Sequence, residues 1–391
     1  MKFDFDTPVN RRGSGSYKWD SPDGSSRGDF LPMWVADMDF RTAPCVIDAL
    51  ERRVSHGVFG YTAVGNDYYD ALTSWFGRRH GWNIDRQGVI YTSGVVPAIS
   101  AIIKALVPRG GGVIVMTPVY NCFFSSIRNN GCRTVESPLI DTGMGYEIDF
   151  DDLERRAAAE GAAMILLCNP HNPGGRVWTR EELEKIDDIS TRHGLFVVSD
   201  EIHCELTFPG QKYIPYSTLG ENARSHSVSC VSPSKAFNTA GLQIANIVTH
   251  DPVVAARIDR AINDNEVCDV NPFGVVGLIA AYNDGEPWLD ALKGYLYENY
   301  AYLCGFFAEN LPAFRVMPMQ ATYLAWIDCS GSGMTGDEVA RRLLDETGLM
   351  VSAGTTYGKA GTNFVRLNFA CQRTVLADAL ERFMRVFDNK C

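Results

Sequence analysis

The stretch Met164-Ile-Leu-Leu-Cys168-Asn-Pro-His-Asn172-Pro-Gly-Gly175 decides much of the fold, because an apolar run ends directly in a turn. Consecutive apolar residues of this kind are typical of a strand that is covered on both faces of a sheet. Pro and Gly fix the turn, so it can hold the amide of Asn172 rigidly. The same residues also form ordinary turns, and this motif alone does not decide between the two interpretations.

Similar apolar runs occur along the central part of the chain, with helical patterns between them. Apolar residues from Ile99 to Leu106 recur at helical spacing. A second helix is predicted to open with Thr179-Arg-Glu-Glu182, which fits a capping box. This alternation predicts an α/β fold with a largely parallel sheet flanked by helices. The further strand-like runs are 89–92, 113–117, 195–199, 228–231 and 244–249.

The chain is predicted to form two domains, because 391 residues exceed one ordinary domain. Residues 46–284 carry the alternating pattern and form the predicted large domain. Residues 1–45 and 285–391 form the predicted smaller α+β domain. Residues 1–30 are rich in Gly, Ser and Asp and are expected to be an irregular arm. The C-terminal part has strand-like runs at 321–327 and 364–369, and helix faces at 339–344 and 376–387.

Composition excludes several classes of partner. The formal net charge of −11 disfavours nucleic acid and anionic membrane surfaces. The N-terminus is acidic and polar, unlike a signal peptide, and no apolar run approaches the ~20 residues that span a bilayer. The 11 cysteines include no CxxC pair, so no metal site is predicted. Reduced thiols of this kind favour the cytoplasm.

Two residues at the ends of predicted strands suit covalent cofactor chemistry. Lys235 follows a strand and the small-residue turn Ser232-Pro-Ser234, so its amine can project into a cleft and form an imine with an aldehyde cofactor. Asp200 ends the run Val-Val-Ser, at the edge where open α/β sheets bind ligands, and suits a protonated pyridine nitrogen. The alternatives are a solvated surface lysine and a helix N-cap aspartate.

Two further motifs suit the binding of anions. Thr92-Ser-Gly94-Val95-Val96-Pro leads into a helix, whose first backbone amides favour a phosphate, and Gly94 permits close approach. Arg366 lies inside an apolar strand-like run, where an unpaired charge is costly. Its planar fork suits a substrate α-carboxylate. An ordinary strand–helix turn and a structural ion pair are the respective alternatives.

In their order along the chain, from Gly94 to Arg366, the motifs resemble those of the fold-type I pyridoxal 5′-phosphate (PLP) enzymes, the aspartate aminotransferase superfamily. The resemblance covers nearly the whole chain and implies an aspartate-aminotransferase-like large domain. The chain is most similar to the cystathionine β-lyase and cystalysin-type C–S lyase branch. The motifs that carry this resemblance are Trp34-Val-Ala-Asp-Met-Asp-Phe40, Gly57-Val-Phe-Gly-Tyr61-Thr, Asn169 to Gly175, Ser199-Asp-Glu-Ile-His203, Ser232-Pro-Ser-Lys-Ala-Phe-Asn238 and Phe364-Val-Arg-Leu-Asn-Phe-Ala370.

The resemblance also implies roles for individual residues. Tyr61 would reach the phosphate of the neighbouring subunit's cofactor, which implies a homodimer, and Tyr120 would stack on the cofactor ring. Both tyrosines also fit plain aromatic packing. His203 would lie near the phenolic oxygen, and otherwise fits a core histidine. The cofactor would be bound by Gly94, Val95, Val96, Tyr120, Asn172, Asp200, His203, Ser232, Ser234, Lys235 and Tyr61. The amino-acid substrate would be bound by Arg366, the backbone N–H of Ala36, Asn172 and Tyr61.

The expected function is α,β-elimination on cystathionine or another cysteine S-conjugate, giving a thiol, pyruvate and ammonia. Lys235 is the expected base at Cα, Asp200 supports the pyridine nitrogen, and Lys235 or Tyr120 protonates the leaving thiolate. Position 243 is Gln, where aminotransferases of this fold usually place a phosphate-binding arginine. Transamination of an amino acid is the first alternative. A regulatory PLP-binding protein with residual lyase activity is the second.

Overall fold

The structure is a computed structural model that describes residues 3–20, 29–264, 266 and 269–387. Its strands are β1 Leu31–Pro32, β2 Val89–Thr92, β3 Gly112–Thr117, β4 Arg133–Pro138, β5 Ile140–Asp141, β6 Tyr146–Glu147, β7 Ala162–Cys168, β8 Phe196–Asp200, β9 Ser227–Val231, β10 Ala245–Val248, β11 Arg315–Val316, β12 Leu324–Asp328, β13 Leu349–Met350, β14 Ser352–Ala353 and β15 Phe364–Asn368.

Helices connect most of these strands. They are α1 Pro44–His56, α2 Asn66–His80, α3 Val95–Leu106, α4 Cys122–Asn129, α5 Phe150–Ala157, α6 Arg180–His193, α7 Glu221–Ser225, α8 Pro252–Asn263, α9 Pro272–Asp284, α10 Glu286–Asn310, α11 Gly336–Thr347 and α12 Arg373–Phe387. The expected capping box opens α6, where Thr179 and Glu182 exchange side-chain to backbone bonds. None of the helices in the described ranges is both long and apolar enough to cross a membrane.

A seven-stranded sheet forms the centre of the molecule, in the order β2-β10-β9-β8-β7-β3-β4. Strands β9, β8, β7, β3 and β4 run parallel, and β10 is antiparallel to both of its neighbours. The predicted α/β class with a mostly parallel sheet is therefore confirmed. The sequence prediction missed β4, because this edge strand is polar and only partly buried.

A second sheet, in the order β11-β12-β15-β14, lies nearer the C-terminus and is antiparallel. Its central strand β15 matches the predicted run at 364–369, and β12 begins three residues later than the run predicted from 321. The strands of the first sheet fall between residues 89 and 248, and those of the second between 315 and 368. The domain boundaries near 45 and 284 stay a prediction.

The core encloses the first sheet from both faces. One apolar cluster joins α3, α4 and α8 to one face, and another joins α5 and α6 to the opposite face. Because both faces are covered, the central strands are apolar throughout, as the run at 164–168 indicated. The parallel strands β7, β8 and β9 end at Cys168, Asp200 and Val231, so the segments that follow them meet at one edge of the sheet.

Candidate active site

A cavity of about 190 Å³ lies at this edge of the sheet. It brings together most of the residues that the sequence motifs had indicated. The residues that line it are Ala36, Ser93, Gly94, Val95, Val96, Pro97, Tyr120, Cys168, Asn172, Asp200, Ile202, His203, Ser234, Lys235, Ala240 and Ile244. Ligands bind at the same place, beyond the carboxyl ends of strands, in other open α/β sheets.

Lys235 enters the cavity from the turn after β9. The turn is held by Ser232, whose Oγ donates to the carbonyl of Ile244 at 2.7 Å and accepts from the backbone N–H of Ser234 at 3.1 Å. The Lys235 amine donates to the carbonyl of Ala36 at 2.6 Å. The pKa of this amine is lowered to about 8, by burial first and then by the Arg366 charge, while the carboxylates of Asp37 and Asp200 act in the opposite direction. A substantial fraction of the amine is therefore neutral near physiological pH.

Asp200 is the last residue of β8 and is 3% exposed. Its carboxylate accepts the backbone N–H of Ile202 at 3.2 Å. Burial raises its pKa to about 7, while this hydrogen bond and the charge of Lys235 act to lower it. A positive charge placed beside Asp200 would restore its carboxylate form, since an opposite charge favours ionisation.

Arg366 is not itself among the residues that line the cavity, but it contacts Asn172, which lines it. The guanidinium donates from Nη1 to the side-chain oxygen of Asn172 at 3.2 Å and from Nη2 to the carbonyl of Trp34 at 2.8 Å. It lies over the ring of Tyr357, 4.8 Å from the ring centroid, and its Nε is buried without a partner. Arg366 forms no ion pair with any acidic side chain of the described residues. This observation favours a ligand carboxylate over a structural ion pair.

His203 and Tyr120 are two further polar side chains that line the cavity. His203 is 2% exposed, and its Nδ1 is buried without a partner. Burial lowers the pKa of His203 to about 3, and the charges of Lys235 and Arg366 act in the same direction, so the imidazole is neutral. The pKa of the Tyr120 hydroxyl is raised, by burial first and then by the neighbouring Cys122. Tyr120 therefore keeps its proton at neutral pH.

The segment after Gly94 forms the opposite wall. Gly94 is the N-cap residue of α3 without a side-chain cap, and Val95 and Val96 of the first helical turn line the cavity, so this helix N-terminus lies at the cavity wall. The backbone amides of a helix N-terminus favour an anion. Gln243, which stands where aminotransferases of this fold usually have an arginine, is exposed to solvent.

The structure does not bring every predicted residue to the cavity wall. Tyr61 is 96% exposed and is not among the lining residues. Ser232 acts behind the wall, since its hydroxyl is bonded to the backbone and to Ser234. Ala36 lines the cavity, but its recorded bonds are at its carbonyl, which accepts from Lys235 and from the hydroxyl of Tyr323 at 3.0 Å. The roles assigned to these residues stay predictions.

Sequence reasoning missed several residues of the cavity. Cys168 was visible as the last residue of an apolar run before the Asn-Pro turn, and Ile202 follows Asp200 by two positions. The other missed lining residues are Ser93, Pro97, Ala240 and Ile244. Tyr323 carries no local signal, because only the packing of the second sheet brings it to Ala36.

One cluster in the described part of the chain has the composition of a metal site. A ligand atom from each of His80, Cys204 and Glu205 lies within 4.8 Å of the others. Both carboxylate oxygens of Glu205 are already bonded, since Oε1 accepts from Trp75 at 2.7 Å and His80 at 2.6 Å, and Oε2 accepts from Arg79 at 2.7 Å. The arginine charge beside this carboxylate opposes a cation, so the cluster is interpreted as a buried ion pair.

The sheet order and the position of the cavity define a protein of the aspartate-aminotransferase-like fold. The model of the family aminotransferase class I and II matches residues 29–383, and the chain belongs to this family. Cystathionine beta-lyase PatB of Bacillus subtilis (strain 168) is 39% identical over 97% of this chain and 98% of its own length. Protein MalY of Escherichia coli (strain K12) is 36% identical over 96% of each chain.

A solved structure shows the same similarity in three dimensions. Cystalysin from Treponema denticola, which contains a pyridoxal 5′-phosphate cofactor, matches with a TM-score of 0.95 at 31% identity, over 99% of both chains. The resemblance inferred from the motifs is thereby confirmed, at the level of the family and of its C–S lyase branch.

Proposed function

We propose that this chain is a PLP-dependent C–S β-lyase, which cleaves cystathionine or another cysteine S-conjugate to a thiol, pyruvate and ammonia. The observation that carries the proposal is full-length similarity to cystathionine beta-lyase PatB, together with a cavity that is lined by Lys235 and Asp200 and whose wall residue Asn172 is bonded to Arg366. The exposed Gln243 supports a lyase over an aminotransferase, since it supplies no cation for a phosphate.

The donors and acceptors of the cavity fit PLP. Lys235 would bind the cofactor covalently, and Asp200 would pair with its pyridine nitrogen. The amides after Gly94 and the hydroxyl of Ser234 would hold the phosphate. His203 and Asn172 would face the phenolic oxygen, and the buried, unpartnered Nδ1 of His203 shows that this side chain has bonding capacity to spare. When bound, PLP accepts the electrons that remain at Cα after its proton is removed.

The side chains of this chain supply binding and proton transfer. The free donors of the Arg366 fork would grip the α-carboxylate, and Asn172 would fix the orientation of that fork. Lys235 would take the Cα proton, and a pKa near 8 matches an amine base that works near neutral pH. The protonated Tyr120 hydroxyl, or Lys235 once it carries the Cα proton, would protonate the departing thiolate. Water then completes the release of pyruvate and ammonia.

The oligomeric state and location follow as further proposals. The exposed Tyr61 belongs to a surface segment that also exposes Val54, Val58 and Phe59, each by more than half. Exposed apolar patches mark interaction surfaces, and a homodimer would bring Tyr61 to the neighbouring subunit's phosphate site. The 9 cysteines of the described residues are free thiols, which suits the cytoplasm.

The proposed function is tested by following thiol release from S-substituted cysteines in the PLP-loaded protein. L-Cystathionine is expected to yield homocysteine and pyruvate in equal amounts, without an added keto acid. The control variant Arg382→Lys is expected to release thiol at the wild-type rate, because Arg382 is a buried arginine that pairs with Asp29 and Asp378, outside the cavity. Amino-group exchange that depends on a keto acid, without thiol release, would instead identify an aminotransferase.

A further inference from the structure

Cys168 lines the cavity and has no part in the proposed proton transfers. It is the last residue of β7 and is 3% exposed. Burial raises the pKa of its thiol well above the ordinary value, so the side chain is a neutral S–H group and not a nucleophile. Its bonds, however, connect it to residues that the proposed reaction requires.

The sulfur of Cys168 closes the first half of the turn that carries Asn172. It lies 3.4 Å from the carbonyl oxygen of Pro170, to which the S–H donates. It also accepts the backbone N–H of Asn172 at 3.4 Å. The second half of the turn is closed independently by backbone bonds from His171 to Arg176 and from Gly175 to His171. The thiol is therefore the side chain that fixes the backbone at Asn172.

Asn172 transmits this constraint to Arg366. The side-chain oxygen of Asn172 accepts from Nη1 of Arg366, and the second anchor of the fork is the carbonyl of Trp34. A planar guanidinium binds a carboxylate in one orientation, and a displacement of well under 1 Å weakens such a grip. A shift of the Asn172 backbone would therefore turn the Arg366 fork away from its ligand.

A second buried cysteine provides a matched comparison. Cys168 and Cys230 stand in register with Asp200 from the two neighbouring strands, so both thiols flank this carboxylate. Cys230 is also fully buried, and in the described part of the chain its sulfur has no recorded bond to the turn at 169–175. Any effect of a neighbouring thiol on the Asp200 carboxylate is therefore common to both cysteines, whereas only Cys168 is bonded to the turn that carries Asn172.

We propose that Cys168 is a positioning residue, whose sulfur sets the Asn172 backbone and thereby orients Arg366 toward the α-carboxylate of the substrate. The inference rests on the proposed function in one respect, since it takes Arg366 as the group that binds the carboxylate. Loss of the two sulfur bonds raises KM for amino acids by roughly tenfold and leaves kcat within about twofold. A serine at this position keeps a donor and an acceptor and restores binding.

The test compares Cys168→Val, Cys168→Ala, Cys168→Ser and Cys230→Val in the PLP-loaded protein. Steady-state kinetics give KM and kcat for L-cystathionine. A spectral titration with L-alanine, which carries no β-leaving group, gives the affinity for an amino acid without elimination. Hydrogen exchange, measured by mass spectrometry on peptides that cover 169–176, reports the amides of this turn, that of Asn172 among them, and does not depend on activity.

The proposal predicts weaker L-alanine binding, a raised KM and faster exchange in the valine and alanine variants of Cys168. The serine variant and Cys230→Val are expected to resemble the wild type. Unchanged affinity in both apolar variants overturns the proposal, as does an equal loss in Cys230→Val or a serine variant as weak as valine. Cys168→Ala decides the matter if the valine variant does not fold. If the wild type binds L-alanine but releases no thiol, the proposed function fails and the titration still tests Cys168.

Discussion

Replacing Arg366 by lysine tests the carboxylate site, because it keeps the positive charge and removes the planar fork. The guanidinium has five N–H donors, and the structure engages two of its nitrogens with Asn172 and Trp34. The remaining donors are available for two bonds to a carboxylate. A hydrogen bond to a charged group contributes about 1.5–3 kcal/mol, so the loss of one such bond and of the fixed orientation costs about 2–3 kcal/mol. This corresponds to a decrease in kcat/KM of roughly 30- to 150-fold.

The assay compares S-methyl-L-cysteine with its carboxamide, which has the same Cα and leaving group but no charge. Arg366→Lys is expected to lower kcat/KM by the full factor on the carboxylate and by only a few-fold on the carboxamide. Arg382→Lys serves as the control and is expected to leave both values unchanged, since its partners Asp29 and Asp378 lie outside the cavity. An equal decrease on both compounds, or no decrease on the carboxylate, would refute the assignment of Arg366.

Three further substitutions test other parts of the account. Burial raises the pKa of Asp200 to about 7, so the folded cofactor-free chain binds the carboxyl proton of Asp200 more tightly than the unfolded chain does. As pH rises from about 4 through 7, the ionised carboxylate therefore destabilises the fold increasingly. In denaturant titrations of the cofactor-free protein, Asp200→Asn should therefore be more stable than the wild type at pH 8 but not at pH 4. The same substitution should abolish most turnover of the PLP-loaded protein. Equal stability of the variant and the wild type at pH 8 would contradict the raised pKa of Asp200. Tyr120→Phe should lower kcat with poor thiol leaving groups more than with good ones, and a uniform effect would assign Tyr120 to stacking alone. Glu205→Gln removes one of three carboxylates that pair with Arg79, since Glu286 and Asp290 remain, and should lower the free energy of unfolding by about 1.5–3 kcal/mol with activity per folded molecule retained. A loss of activity without a loss of stability would place this cluster in the reaction.

Local sequence patterns predicted the part of the fold that carries the site. Strands buried on both faces must be apolar, so β7, β8 and β9 were recognisable, and the polar residues directly after them mark the ligand-binding edge. The capping box of α6 was equally local. The polar edge strand β4 gave no such signal, since its residues are only partly covered.

Contacts between distant segments could not be predicted in the same way. Arg366 and Asn172 are 194 positions apart, and their hydrogen bond exists only because the second sheet packs against the cavity. The carbonyl of Ala36 meets Lys235 from a separate segment, 199 positions away. Cys168 appeared in the sequence only as an apolar strand residue, because the geometry of the folded turn creates its two sulfur bonds.

The central claim is catalytic elimination by Lys235, and counting turnovers tests it most directly. The measurement is the amount of pyruvate formed per PLP-loaded chain from L-cystathionine, with no keto acid present. The account predicts many equivalents of pyruvate for the wild type and none above background for Lys235→Ala. Pyruvate that does not exceed one equivalent per chain, or equal turnover by the alanine variant, would contradict it.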